Sequence, residues 1–353
     1  MSLFYSKNEN RLRALWRIVL YGFVFMLGSA FISVIAAAAG FLFATASGSL
    51  TQGMLASAEN AVEVAINLTM ASPLVFFINS AGSLIFIWFL TAIFAKWIDR
   101  RKMADFGLAL SGRWWKDFVF GLLLGGLLMT GIFISEWQLG WLEINSFWQS
   151  PANTRFIFAF ILMFLSFIAV GIYEELMVRG YQLRNIAEGL NLPNSSSKTA
   201  LMLSYILTSA WFSFLHLFNP NSSLASVLNL IVSGFLLGLG MVLTGRLALP
   251  IGLHISWNFF QGTIFGFPVS GLNTGTSVIA VTDTGPALWT GGQFGPEAGL
   301  IGLVAMVVGI VIIILYTRYT QGSLSPELSL AIYHPPRKAE SILSEQSSQI
   351  SYL

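Results

Sequence analysis

The sequence predicts an all-α fold, a polytopic membrane helix bundle of about eight transmembrane helices. Three observations carry that reading. Of 353 residues, 55% are hydrophobic and only 10% are charged, where soluble domains carry about a quarter. Apolar runs of about 20 residues recur near 18–46, 73–95, 118–135, 156–178, 200–218, 223–244, 248–267 and 299–317, each long enough to cross a bilayer. Lysine and arginine fall in alternate connections, as the rule that sets membrane orientation requires. The net charge of +2, with no basic patch interleaved with aromatics, gives no sign of a nucleic acid partner. Cysteine is absent, so disulfides, a thiol nucleophile and a thiolate metal site are excluded.

Taken in order, the N-terminus carries Lys7, Arg11, Arg13 and Arg17. The apolar stretch that follows is too long for the core of a cleavable signal, so it reads as a retained first helix, although "ATAS" at 45–48 faintly resembles a cleavage site. Loop 96–116 carries Lys96, Arg100, Arg101, Lys102, Arg113 and Lys116, and "RWWKDF" at 113–118 reads as an interfacial belt leading into the third segment. "GLLLGGLLMTG" at 121–131 has small residues at helix-packing spacing. Arg179, Arg184 and Lys198, then Arg246, then Arg318, Arg337 and Lys338 continue the cationic side. The alternate loops 47–72, 136–154 and 268–298 hold Glu59, Glu63, Glu136, Glu143, Asp283 and Glu297, with no lysine or arginine. Both termini are therefore expected in the cytoplasm, and the setting expected is a bacterial plasma membrane. The Gly- and Thr-rich stretch 268–298 reads as an external loop with turns. Pro296 and Glu297 stand where a helix begins, which favours a structural cap over a catalytic role for Glu297. Residues 1–320 read as one membrane domain and 321–353 as a polar, disordered tail.

"GIYEELMVRG" at 171–180 puts two carboxylates and an arginine at the end of an uncharged run. A charged group at membrane depth costs several kcal/mol, at about 3 or more by insertion scales, unless it is paired or neutralised. On a helix Glu175 and Arg179 are four residues apart and share a face, so they are expected to form a structural ion pair. Glu174 points about 100° away and is left without a local partner, which suits a general base acting on water. Placement of both glutamates at a watery helix end is the alternative. Two of the three histidines, His216 and His254, also lie in apolar segments, while His334 lies in the tail. Phe212 precedes His216 by four residues and Asn258 follows His254 by four, each on the same helical face.

Two chemistries fit this set. In one, Glu174 and His216 activate water while His254 and Asn258 stabilise the oxyanion. In the other, Glu174, His216 and His254 hold a divalent metal such as zinc, since two histidines and a glutamate form a known catalytic set. There is no HExxH and no GxSxG, and an aspartyl pair is lacking because the aspartate beside an apolar segment is Asp117, at an interface.

The motifs EExxxR (Glu174, Glu175, Arg179), FxxxH (Phe212, His216) and HxxxN (His254, Asn258), in this order on successive segments, resemble the CPBP (Abi) family. Its members include type II CAAX prenyl endopeptidases and bacteriocin-processing or immunity proteins. The resemblance covers about 155–265, with a looser likeness in "FGLALSGRWWKDF" at 106–118. It implies an intramembrane endopeptidase. Glu174 and His216 would activate water, His254 and Asn258 would form the oxyanion site, and Glu175, Arg179 and Phe212 would support them. The substrate implied is a peptide or protein, lipidated or not. The family has been described both as metalloproteases and as metal-free glutamate proteases. The metal-free form is preferred here, with no cofactor required, because no thiolate or HExxH cage is visible; zinc on Glu174, His216 and His254 is the alternative.

A catalytically idle immunity or peptide-binding protein of the same fold is the runner-up function. A transporter or proton relay is weaker, because paired broken segments are not visible. Simple alternation places Glu174 and His254 in the cytoplasmic half and His216 near the outer end of its segment. A shared site therefore requires that "NPN" at 219–221 turn within a cavity.

Overall fold

The computed structural model describes residues 3–7, 9–46, 72–152 and 154–335. The helices are α1 (Ala14–Ala46), α2 (Pro73–Ile93), α3 (Gly112–Gln138), α4 (Phe156–Glu175), α5 (Leu183–Leu190), α6 (Ser197–Leu215), α7 (Leu224–Thr244), α8 (Ala248–Phe259), α9 (Ala287–Thr290) and α10 (Leu300–Gln321). Their ends have local causes. Pro73 opens α2, where its missing N–H costs nothing. The Ser111 hydroxyl accepts the Trp114 N–H at 3.2 Å and starts α3, and Ser196 accepts from Thr199 at 3.0 Å to start α6. Gly245 and Gly322, at φ 67° and 74°, end α7 and α10.

Helices stand at all eight predicted segments in the described residues, but they are not alike. Six are long and apolar enough to cross a membrane: Ala14–Leu42, Pro73–Asp99, Gly112–Gln138, Phe156–Leu190, Leu224–Thr244 and Leu300–Gln321. The two expected spans that fall outside this group are α6 and α8. In α8, every residue but Asn258 is buried, packed among α3, α4 and α7. A helix wrapped by protein does not need a lipid-facing surface, so it tolerates His254, Ser256 and Asn258. The small residues of α3 let α8 approach closely, as their spacing predicts. A side chain on Gly125 would lie 2.5 Å from the Leu253 carbonyl oxygen, and one on Gly252 would lie 2.2 Å from that of Phe118.

The fourth helix does not stop near 178. It continues through a π-helical turn, Leu176–Gln182, into α5 and ends at Leu190. This extension resolves the depth of His216. From Glu174 the chain descends about 24 Å to Leu190 and, after a short loop, climbs back about 28 Å along α6, at about 1.5 Å per residue. It then turns over 216–223 before α7 begins. His216 thereby returns to the level of Glu174.

Short strands stand in the N-terminal segment and in two regions read as loops. β1 (Tyr5–Ser6) pairs with β2 (Arg11–Leu12), and β3 (Leu142–Gln149) pairs antiparallel with β4 (Ser277–Asp283), with a bulge between Ile144 and Ser146. Loops 136–154 and 268–298 are thus stitched together by a two-stranded ribbon within a mostly helical fold.

The cationic side gathers at one end of the bundle and is partly buried. Glu188 accepts from Arg11 at 2.9 Å, from Arg17 at 3.4 Å and from Arg101, and Arg17 also reaches Asp99 at 2.7 Å. Arg246 pairs with Asp117 at 2.7 Å. Arg155 is an exception to the alternation, since it caps α4 at the opposite end. The tail does not leave the bundle at 321. Leu330 and Ala331 are buried, Asn191 donates to the Ala331 carbonyl at 3.0 Å, and the Arg11 guanidinium lies 3.3 Å from the Tyr333 ring centre. Residues 336–353, where the rest of the expected disordered tail falls, lie outside the described residues.

Candidate active site

Glu174 and Glu175 are the last residues of α4 before the π turn, a distortion that recurs at functional sites. Their side chains divide. That of Glu175 is fully buried (0% exposed), while that of Glu174 keeps 16% of its surface open to a cavity of about 620 Å³. Glu175 Oε1 accepts from Arg179 Nη1 at 2.9 Å, as the spacing predicts. Arg179 also donates to the Gly234 carbonyl at 3.2 Å and lies 4.4 Å from the Phe212 ring centre. Phe212 is therefore the surface on which the buried arginine rests, and its ring also stands near His216 and His254, at 4.8 and 6.0 Å.

His254 stands between the two glutamates. Its Nδ1 lies 2.8 Å from Glu175 Oε1 and its Nε2 lies 3.8 Å from Glu174 Oε2. Since a carboxylate accepts, Nδ1 carries the hydrogen and Nε2 faces Glu174 and the cavity. Glu174 is thus not wholly without partners, as its spacing suggested. It has His254 on one side and the Tyr173 hydroxyl, 3.3 Å away, on the other, and no ion pair to a lysine or arginine among the described residues. His216 Nδ1 is fixed at 2.9 Å on the carbonyl of Phe212, which leaves Nε2 as the ring nitrogen free for a ligand.

Glu174, Phe212, His216, His254 and Asn258 all line this one cavity. Asn219 and Pro220 line it too, so the chain turns within the cavity wall, as a shared site requires. The opposite side, from α1 and α2, adds Ser29, Ser33, Asn79, Ser80 and Ser83. Tyr173, Asn219, Ser270 and Glu297 are cavity residues that the sequence motifs did not mark. Among the described residues, no hydrogen bond or ion pair joins Glu174 to His216, and no three His, Asp or Glu side chains converge as ligands for a metal ion. As placed, Glu174, His216 and His254 do not form a ready metal cage.

Residues 156–260 match a family model described as Type II CAAX prenyl endopeptidase Rce1-like. The matched stretch holds all three motifs, and it is this stretch that is related to the CPBP (Abi) family. No curated protein and no solved structure matches the chain.

Proposed function

We propose that this membrane protein is an endopeptidase whose nucleophile is a water activated by Glu174. The observation that carries the proposal is the contrast within the glutamate pair. Glu175 is enclosed by Arg179 and His254, whereas Glu174 opens onto a cavity that also holds His216 and Asn258. Glu174 takes a proton from water as the water oxygen bonds to the peptide carbonyl carbon. His216 orients that water through Nε2. The oxyanion is met by the Asn258 amide and by His254 Nε2–H. With Nδ1 turned to Glu175, this donation requires a doubly protonated ring, whose counter-charge comes from Glu175 throughout and from Glu174 until it takes the proton of the water. The carbon–nitrogen bond then breaks as the proton on Glu174 passes to the leaving amine, giving a free carboxyl and a free amine. No step is routed through a metal, because the residues do not converge as ligands.

The substrate is a peptide or protein reaching the cavity within the bilayer, with both termini of the enzyme in the cytoplasm. The test is cleavage of lipidated and unlipidated C-terminal peptides by purified wild type and Glu174→Gln, each with and without a strong chelator. Loss only in the variant supports the proposal. Loss in the chelated wild type as well replaces it with a metal mechanism. Cleavage by neither form favours the idle binding or immunity protein.

A further inference from the structure

The wall of the cavity that carries His216 is held from outside the matched stretch, and one carboxylate does the holding. We propose, resting on the endopeptidase reading above, that Glu297 is a positioning residue for His216, acting through Ser270 and Asn219. Glu297 is 3% exposed and lines the same cavity as Glu174, His216, His254 and Asn258. Its Oε1 accepts from both the backbone N–H and the hydroxyl of Ser270, the latter at 2.6 Å. A helix-capping role leaves these contacts unexplained, since Glu297 reaches back across the chain to residue 270 rather than to its own helix.

Ser270 is the joint. Its φ is 48°, in the left-handed region that serine seldom adopts and that persists only when the surroundings impose it. With both its donors committed to Glu297, Ser270 offers its carbonyl to Asn219, which donates at 2.9 Å. Asn219 is the end of the His216 turn, and its own N–H binds the His216 carbonyl at 3.1 Å. The next residue tightens the joint. Gly271, at φ 81°, donates to the Phe294 carbonyl at 2.8 Å, and a side chain there would lie 1.9 Å from the Pro220 oxygen. Only glycine fits between these two strands of chain.

The titratable groups that face this cavity are Tyr173, Glu174, His216, His254 and Glu297. Glu297 is the one outside α4, α6 and α8 and the turn after α6. Burial pushes its carboxyl above the usual carboxylate range, while Ser270, Gln261 and the nearness of His216 pull it back. Each cavity histidine therefore has its own buried carboxylate: Glu175 touches His254, and Glu297 holds the turn that carries His216.

The experiment measures peptide cleavage and the ring-nitrogen NMR signals of ¹⁵N-histidine-labelled full-length protein in micelles. The forms compared are wild type, Glu297→Ala, Glu297→Gln and Ser270→Ala. A group acting at a distance through a sub-ångström to 1 Å placement costs up to about a hundredfold in rate. Glu297→Ala is expected to lower kcat by about tenfold to a hundredfold with KM little changed, and to move the His216 signals while leaving those of His254 in place. Glu297→Gln keeps an acceptor toward Ser270 and is expected to recover most of the rate. Ser270→Ala, which loses only the hydroxyl, is expected to move the His216 signals less. His216 signals that stay in place in Glu297→Ala, or a raised KM with kcat unchanged, overturn the proposal. If Glu297→Ala does not fold, unmoved His216 signals in Ser270→Ala, which loses a donor to Glu297 but keeps the carboxylate, overturn it equally. A wild type that cleaves nothing sinks the endopeptidase reading alone, because the signals still report whether Glu297 places His216.

Discussion

Two clusters of buried charge in this molecule look alike in composition and differ in what they leave over. One closes an end of the bundle, where Arg11, Arg17 and Arg101 converge on Glu188 and Arg17 also holds Asp99. The other holds Glu174, Glu175, Arg179 and His254 beside the cavity. In the first, each carboxylate has an arginine, and neither Glu188 nor Asp99 lines the large cavity. In the second, the arginine forms its ion pair with Glu175, and Glu174 faces the cavity, its polar side-chain contacts among the described residues being a histidine and a phenol. Burial of charge does not mark chemistry by itself, since paired buried ions are as much a device of structure. What sets Glu174 apart is that no arginine or lysine forms an ion pair with it among the described residues, and that it lines a cavity large enough for a peptide segment.

The sharpest way to break this contrast is to neutralise each glutamate in turn. Glu174→Gln is expected to lower cleavage by about 10³- to 10⁴-fold, the upper range for a lost general base, with the melting temperature unchanged. Glu188→Gln is expected to do the reverse. It leaves buried arginines uncompensated and lowers stability by about 3–5 kcal/mol, while cleavage per folded molecule stays near wild type. Thermal unfolding and active-site-normalised cleavage of the two variants read both quantities. If Glu188→Gln lost cleavage at full stability, the division between the clusters would be wrong.

Arg179→Lys sharpens the contrast inside the second cluster. A lysine can reach Glu175 but cannot also donate to Gly234 and lie flat on Phe212. A loss of about 2 kcal/mol of stability is expected, with a fall in cleavage of about tenfold, because Glu175 in turn holds His254. Unchanged cleavage in this variant would mean that the brace does not orient the histidine.

The sequence made the motif residues legible because short-range spacing sets their faces. The Glu175–Arg179 pair follows from an i, i+4 relation, and the close packing of α3 follows from its glycines. What stayed hidden depends on partners distant in the chain. β3 and β4 lie more than a hundred residues apart, and Leu142 finds Asp283 only after folding. The π turn that carries α4 on to Leu190 leaves no periodic signal, so alternation alone separates His216 from Glu174, two residues that line one cavity. Asp99 and Glu188 carry no local sign of their role, because their partner Arg17 comes from a distant segment and Glu188 also draws Arg101 from another loop. Glu297 reads as a helix start beside Pro296, and its contact with Ser270 is invisible at that range.

The smallest expected effect tests the boundary of the second cluster. The Tyr173 hydroxyl lies 3.3 Å from Glu174 Oε1, a long hydrogen bond, and the ring lines the cavity. A hydrogen bond to a charged group contributes about 1.5–3 kcal/mol at good geometry, and a stretched one falls at or below the low end. Tyr173→Phe keeps the ring and removes only the donor, so it is expected to lower kcat by about threefold to tenfold through a less fixed carboxylate, with KM unchanged. In a Glu174→Gln background the same change should cost nothing further, since the group that Tyr173 holds is gone. A loss in Tyr173→Phe as large as that of Glu174→Gln would mean that the phenol acts on the substrate directly. The cavity would then hold a second proton donor, and the set left over for chemistry would be a carboxylate and a phenol, not a carboxylate alone.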